Sequence, residues 1–456
     1  MLQRALVTIF CLILLGGCAS TANDRAPVVY EGARVIPGDG TAPVENAVFI
    51  VEGGVITRIG RSGEVALPPG AHRIDLTGKT VMPTLIGTHV HPGFQHELTY
   101  AAENYTYENI VADLQRALYF GVATVMSQGI EKGDISYRVR ADQQAGRIGG
   151  ARMRIAGRGI GAVNAGPGAP EYANIAYEVT SEAEIRDAVR ELAATRVDAI
   201  KIWVDDRGGR APRLPPALFR AAIDESHRHG LRVAAHVFYH ADAVELADAG
   251  VDSFAHLVRD RVMDDALITL VVKRNVYVMP NLGGAERNRH RTVPAWMDEP
   301  YLAGMLRDTV SSPVIARMRA SFAARGALSA ELATQGYAIL ERSLARLDAA
   351  GARIILGCDT GLPDHFFGYA EQRELELMVA AGMSPMNVIV AATSRAAEYL
   401  RVTDTGTLRQ GRRADFLVLD ANPLEDIRNT RRIAAIYVGG EKVDRAALRR
   451  SLLSVE

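Results

Sequence analysis

Eight short apolar runs, at residues 81–90, 121–126, 152–156, 199–204, 232–235, 253–255, 276–279 and 353–356, alternate with stretches of helical periodicity. Runs of this length read as strands covered on both faces. The clearest helices between them are predicted over 181–195, 215–229 and 239–249. Strands separated by helices cross over and pair in parallel. Eight such units point to an α/β fold of the TIM-like (β/α)8 barrel type. A doubly wound open sheet competes and fits the strand count less well. With 456 residues, 48% of them hydrophobic, the chain can fill a barrel and a smaller second unit.

Short segments between glycine-rich turns precede the barrel at 28–33, 47–51, 55–59 and 73–76, and similar ones return at 416–419 and 433–438. They predict a small β-sandwich domain built from both ends of the chain, 28–82 together with 402–445, around a barrel over 83–401. Residues 283–348 interrupt the rhythm between the seventh and eighth runs and carry helical pattern over 301–322 and 331–347. An insertion there leaves the face where barrel active sites lie, as a lid or as packing.

Arg4 precedes an apolar run over 5–15 that ends in Leu15-Gly16-Gly17-Cys18. The run is signal-peptide length and too short for a permanent span. Small residues before Cys18 resemble the bacterial lipobox, which implies a lipoprotein signal over 1–18, a lipidated Cys18 and a tether over 19–27; the competing reading is an ordinary cleaved signal. Ala19 implies sorting to the outer membrane, so the expectation is an exported lipoprotein of the bacterial cell envelope, facing the periplasm and held by its lipid. After processing only Cys358 remains of the three cysteines, which excludes an internal disulfide framework. Lys plus Arg number 52 and Asp plus Glu 53, so the balance gives no footprint for nucleic acid. The expected partner is a small-molecule substrate; composition does not set an oligomeric state.

His89 and His91 stand two apart at the end of the first run, where a period of two turns both imidazoles to one face. Lys201 lies between isoleucines in the fourth run, and burial there favours a neutral, nucleophilic amine able to capture carbon dioxide as a carbamate. His236 ends the fifth run, His256 the sixth, and Asp359 follows the eighth. Each alone has a dull explanation as a satisfied polar residue. Together they place metal-ligand chemistry at the tips of several strands of one fold.

This ordered set, with Met82-Pro83-Thr84-Leu85-Ile86-Gly87-Thr88-His89-Val90-His91, Arg373-Glu374-Leu375-Glu376-Leu377-Met378 and the terminal Gly406-Thr407-Leu408 and Gly411-Arg412-Arg413-Ala414-Asp415-Phe416-Leu417-Val418-Leu419-Asp420, resembles the amidohydrolase superfamily. The likeness is to its binuclear, carboxylated-lysine members of the imidazolonepropionase-like and Xaa-Pro dipeptidase-like branch. It implies that His89, His91 and Asp359 bind one divalent metal, that His236 and His256 bind another, and that carboxylated Lys201 bridges them. The imidazole-rich set suits Zn²⁺, with Mn²⁺ or Co²⁺ as substitutes. The metals would share a water and lower its pKa, and Asp359 would shuttle its proton to the leaving amine. The expected activity is hydrolysis of an amide, as in a dipeptide or N-acyl amino acid. Rivals are a lactonase, ester or cyclic-amide hydrolase on the same metals, and a catalytically dead, surface-anchored binding protein. A mononuclear deaminase fits less well, because Lys201 would lack a role. Tyr239, His240 and His365 are candidate substrate contacts by position. Thr84 and Gly87 depart from the family's usual Pro-Gly and Asp, and Pro167 stands where the dipeptidase-like branch often has a His. Gly87 would remove a contact behind a metal ligand.

Overall fold

The computed structural model describes residues 26–166, 174–206 and 208–454. The expected signal with Cys18, most of the tether, and Pro167 lie outside the described residues. Among the described residues no helix is long and apolar enough to cross a membrane.

The chain is mixed α/β, and the run at 81–90 is shared by two sheets. Thr80–Pro83 pairs antiparallel with Phe416–Leu419, whereas Leu85–Val90 opens the parallel set. Thr84 is the switch: its N–H donates to Asp415 O at 3.2 Å, and the next N–H, of Leu85, donates to Gly121 O at 2.9 Å. Because both sheets bury the run, its hydrophobicity carries no mark of the change.

Leu85–Val90, Val122–Ser127 and Arg152–Ile155 form one parallel sheet. Ala199–Trp203, Arg232–His236, Ser253–Phe254, Tyr277–Val278 and Arg353–Ile354 follow one another in a second. Backbone bonds join the two sheets at both ends. Asp198 N–H donates to Ile155 O at 2.7 Å, and Thr88 N–H donates to Leu356 O at 2.8 Å. The eight segments therefore run in a cycle of hydrogen-bonded neighbours. Two short strands that the sequence pattern missed, Ile160–Gly161 and Tyr177–Glu178, add to the sheet beside Ala199–Trp203. Leu400 packs against three buried clusters, one holding Ile86, one Met126, Ala156 and Ala199, and one Ala234, Ala255, Tyr277, Met279 and Ile355. These come from segments all around the cycle, so its interior is filled with side chains, as in a packed core.

The expected helices form close to their expected limits. Glu182–Ala194 starts at Ser181 with a reciprocal capping box to Glu184, and Pro216–Arg228 has proline in its first turn. His240–Ala249 ends at Gly250, whose φ of 88° suits only a residue without Cβ. Pro300–Arg307, Ser312–Ala323 and Ala327–Ala349 occupy most of the insertion.

The strands from both ends of the chain hydrogen-bond into a single eight-stranded mixed sheet. Tyr30 stacks on Phe49 at 4.8 Å, Phe416 stacks on Tyr437 at 4.5 Å, and the pairs meet edge to face. Each such contact adds about 0.5–1.5 kcal/mol beyond burial, which ties the N-terminal strands to the C-terminal ones.

Candidate metal centre

Regular alternation does not turn the first two histidines inward. Ile86 faces the interior around Leu400, so a period of two would bring Thr88 and Val90 inside. Instead the register slips: Gly87 pairs with Val125 but Val90 with Ser127, so one extra residue is accommodated between them. This bulge-like irregularity swings His89 and His91 to the interior. Gly87 lies beside a carboxylate from a distant helix. A Cβ on it would meet Glu371 Oε1 at 3.4 Å. Glu371 accepts from Thr360 Oγ1 and from Gly368 N–H, each at 2.7 Å. A carboxylate from a helix thus braces the loop that carries Asp359.

His91 Nε2 lies 2.9 Å and His89 Nε2 3.3 Å from Asp359 Oδ1. His89, His256 and Asp359 bring one ligand atom each to within 4.8 Å of one another. The His256 ring stands 5.1 Å from that of His89 and 4.4 Å from that of His236. Asp359 itself adopts φ 58°, an uncommon conformation for a residue with Cβ, with its N–H donating to His89 O at 3.0 Å. Lys201 is 1% exposed, in register with Ala234 one layer before the pairing of Trp203 with His236. It therefore faces the same side as His236.

The sequence reading missed three neighbours. Asn281 Nδ2 is 3.0 Å from His89 Nδ1 and 2.8 Å from His256 Nδ1. Asp205 Oδ1 lies 3.3 Å, and Arg259 Nη2 3.1 Å, from His236 Nε2. Polar residues in the loop after a strand are too common to single out. For Asn281 the signal is conformational, a φ of 51° that asparagine tolerates.

Burial, followed by the charge of Lys201, holds His89 well below the usual imidazole range; burial and Arg259 do the same to His256. Burial acts to raise Asp359, but the hydrogen bond from His91 and the surrounding imidazoles hold it well below the usual carboxylate range. Neutral imidazoles beside an ionised carboxylate are the protonation states that ligate a cation. His89 Nε2 and His91 Nδ1 are buried without a hydrogen-bond partner among the described residues, as is Asn281 Oδ1. Orphaned nitrogens of this kind are costly unless something else takes their lone pairs. The donor set therefore fits divalent metal ions of the zinc type.

With Nε2 turned to a metal, Nδ1 of His89 and of His256 carry the protons. A half turn of the Asn281 amide then lets Oδ1 accept from both, since oxygen and nitrogen occupy equivalent places in the fork. One side chain would orient two ligands. Asn281→Ala is expected to weaken metal binding about 10–100-fold, read by chelator competition, while the fold is kept. Unchanged affinity would remove Asn281 from this role.

Lys201 reaches the centre because Gly129 leaves room. Gly129 has φ 89°, and a Cβ there would lie 2.6 Å from Lys201 Cγ and 2.7 Å from its Cβ. Gly129→Ala should therefore cost about 1–3 kcal/mol in denaturant unfolding and reduce metal content. A variant as stable and as fully loaded as the parent would show that Lys201 has slack.

A cavity of about 290 Å³ opens beside the centre, lined by His256, Arg259, Asn281, Arg287 and Asp359 among others. Gly284, Ala285, Asn288 and Leu340 of the insertion complete one wall. Arg287 and Arg325, both from the insertion, bind Asp364 and so fasten it to the loop after Asp359. The three expected substrate contacts are not among the lining residues. Tyr239 donates to Asp206 Oδ1 at 2.8 Å beneath the Arg213 guanidinium, and His240 Nε2 lies 3.2 Å from Asp264 Oδ1. His365 Nε2 is 2.9 Å from Cys358 O. Burial and then Arg287 push its pKa down to about 4, so the neutral ring donates to that carbonyl and steadies the strand end before Asp359. Cys358 is the free, buried cysteine there, and burial pushes its thiol well up.

Ochratoxinase of Aspergillus niger is 23% identical over 93% of this chain and 88% of its own length. Imidazolonepropionase of Deinococcus radiodurans is 26% identical over 88% of this chain and 92% of its own. The crystal structure of a putative prolidase from Bifidobacterium longum superposes with a TM-score of 0.71 at 27% identity, covering 94% of this chain and 98% of that one. The profile of the amidohydrolase family matches residues 80–443, which contain every candidate ligand, and the chain belongs to that family.

Proposed function

We propose that this protein hydrolyses an amide, peptide-like bond in a small molecule such as a dipeptide or N-acyl amino acid, in the mouth of a closed (β/α)8 barrel. The single observation that carries this reading is the convergence of Asp359 with His89, His91 and His256, with Asp359 Oδ1 2.9 Å from His91 Nε2. The relatives support it: an ochratoxinase, an imidazolonepropionase and a putative prolidase each span nearly the whole chain. His89, His91 and Asp359 would hold one divalent metal, His236 and His256 a second, and Lys201, as its carbamate, would stand between them. When bound, the metals supply Lewis acidity and lower the pKa of water.

The chain's own groups do the rest. Asp359 is 21% exposed whereas the imidazoles around it are buried, so its carboxylate is the base within reach of the cavity. It takes the proton of the attacking water and returns it to the leaving nitrogen. Asn281 fixes two ring orientations. Cys18, lipidated at the new N-terminus, would hold the enzyme at the envelope membrane, with residues 19–27 as the tether.

The test uses protein beginning after Cys18 and loaded with zinc, against Xaa-Pro dipeptides, other dipeptides, N-acyl amino acids and lactones. Release of free amino acid with about two metals per chain is the expected result. Turnover of lactones or aryl esters alone would overturn the amide reading, and failure to bind metal would overturn the enzyme reading.

A further inference from the structure

We infer that Glu374 is a positioning residue of the metal centre: it holds the turn after Asn281 by two main-chain N–H groups and so frees the Asn281 amide for His89 and His256. The inference rests on the proposed function, which puts metal at those histidines, and adds a residue and a coupling to it.

Asn281 stands at the N-cap of the short helix Leu282–Glu286. An asparagine at that place ordinarily turns its side-chain oxygen back to the second or third N–H of its own helix. Here it makes no such bond, and its amide reaches Nδ1 of His89 at 3.0 Å and Nδ1 of His256 at 2.8 Å. Glu374 takes the N–H groups that Asn281 leaves. Leu282 N–H donates to its Oε1 and Gly283 N–H to its Oε2, each at 2.7 Å. Asn281 N–H in turn donates to Gly357 O at 3.0 Å. Three successive N–H groups are thus fixed around a residue whose φ is 51°.

Glu374 lies on the helix Tyr369–Ala380, three residues after Glu371, and both side chains are wholly buried. Glu371 braces the loop that carries Asp359, and Glu374 braces the loop that carries Asn281. Two acidic groups so close on one helix repel each other, and burial adds to the cost. Burial raises the pKa of Glu374, and the two N–H groups work in the opposite direction. Among the described residues these N–H groups are its hydrogen-bond partners, with no arginine or lysine beside them. The first N–H groups of a helix are satisfied at far less cost by a short polar side chain at the cap. A remote, buried carboxylate has a reason to be there when the local cap is employed elsewhere.

Without Glu374 the two N–H groups lose their acceptor, and Asn281 is the side chain that the sequence places to cap them. Turning to Gly283 N–H takes its amide from both histidines at once. His89 and His256 serve different metals in the proposed set, so both sites weaken together.

The experiment measures zinc affinity of the full-length, detergent-solubilised chain by chelator competition, and the visible ligand-field absorption of the cobalt-loaded protein. Glu374→Gln keeps the shape but offers one oxygen where two N–H groups need acceptors. It is expected to weaken both sites about tenfold or more and to change the cobalt spectrum as Asn281→Ala does. Glu374→Asp keeps the charge but draws it back from the N–H groups. It shows the same loss and keeps the test open if the glutamine variant fails to fold. In the Asn281→Ala background neither substitution weakens zinc binding further, because the residue through which Glu374 acts is gone. Parent-like affinity in both Glu374 variants, or losses that multiply with that of Asn281→Ala, overturns the inference. If the parent itself binds no zinc, the proposed function fails as well. If it binds about two zinc ions and the Glu374 losses are absent or multiply, only the role of Glu374 falls.

Discussion

Asp359→Asn lowers kcat for amide hydrolysis by about 10²–10⁴-fold while most of the metal stays bound. The two side chains have nearly the same shape, and the oxygen of Asn still accepts the N–H of His91, which lies 2.9 Å from Asp359 Oδ1. The main-chain bond from Asp359 N–H to His89 O at 3.0 Å does not depend on the side chain, so the φ of 58° and the position of the head group are kept. What is lost is a group that can take a proton. The protein invests in keeping this group ionised: the hydrogen bond and the imidazoles around it outweigh a burial that acts in the opposite direction. The expected pattern is a fall in kcat and in kcat/KM together, with little change in metal content. Normal turnover would remove Asp359 as the proton carrier. Equal loss of metal and activity would make it a ligand only.

The candidate ligand residues were legible because metal chemistry uses few residue types and a repeated strand–helix unit places strand ends on one face. His236 and Asp359 could be assigned to strand ends from the apolar runs alone. The route by which His89 and His91 face inward could not, since a register slip between Gly87 and Val90 leaves no trace in the hydrophobic pattern. The same limit hid the switch of sheet at Thr84. The motif likewise carries no mark of Glu371, far away in sequence, which stands beside Gly87. Nearness in sequence to the candidate ligands is the only signal that points to Tyr239, His240 and His365. Tyr239 and His240 are drawn off by Asp206 and Asp264, and the cavity is completed instead by the insertion and by Arg259. Loop side chains are placed by partners from distant elements, which a single sequence does not pair.

Lys201 offers the sharpest separation of stability from chemistry. As an ammonium it is an unfavourable neighbour: its charge is one cause of the depressed pKa of both His89 and His256. As a carbamate it carries the opposite sign and two oxygens, and the same position becomes attractive to two cations. Lys201→Ala is therefore ambiguous by itself, since a cavity at a fully buried site costs about 2–5 kcal/mol and can unload metal by loosening the fold. Lys201→Met resolves this. It keeps most of the volume and removes a buried amine, so the metal-free protein should be as stable as the parent or more stable by about 1–3 kcal/mol in denaturant unfolding. Its zinc content should nevertheless fall to a small fraction of the parent's, and amide turnover with it. In the parent, dialysis and reloading in buffer stripped of carbon dioxide should give the same deficit, reversed by bicarbonate. A stable Lys201→Met protein that still loads about two zinc ions would eliminate the bridging carbamate. Histidines 89, 91, 236 and 256 and Asp359 would then have to hold the metals on their own, and the place of Lys201 in the strand would need a structural explanation.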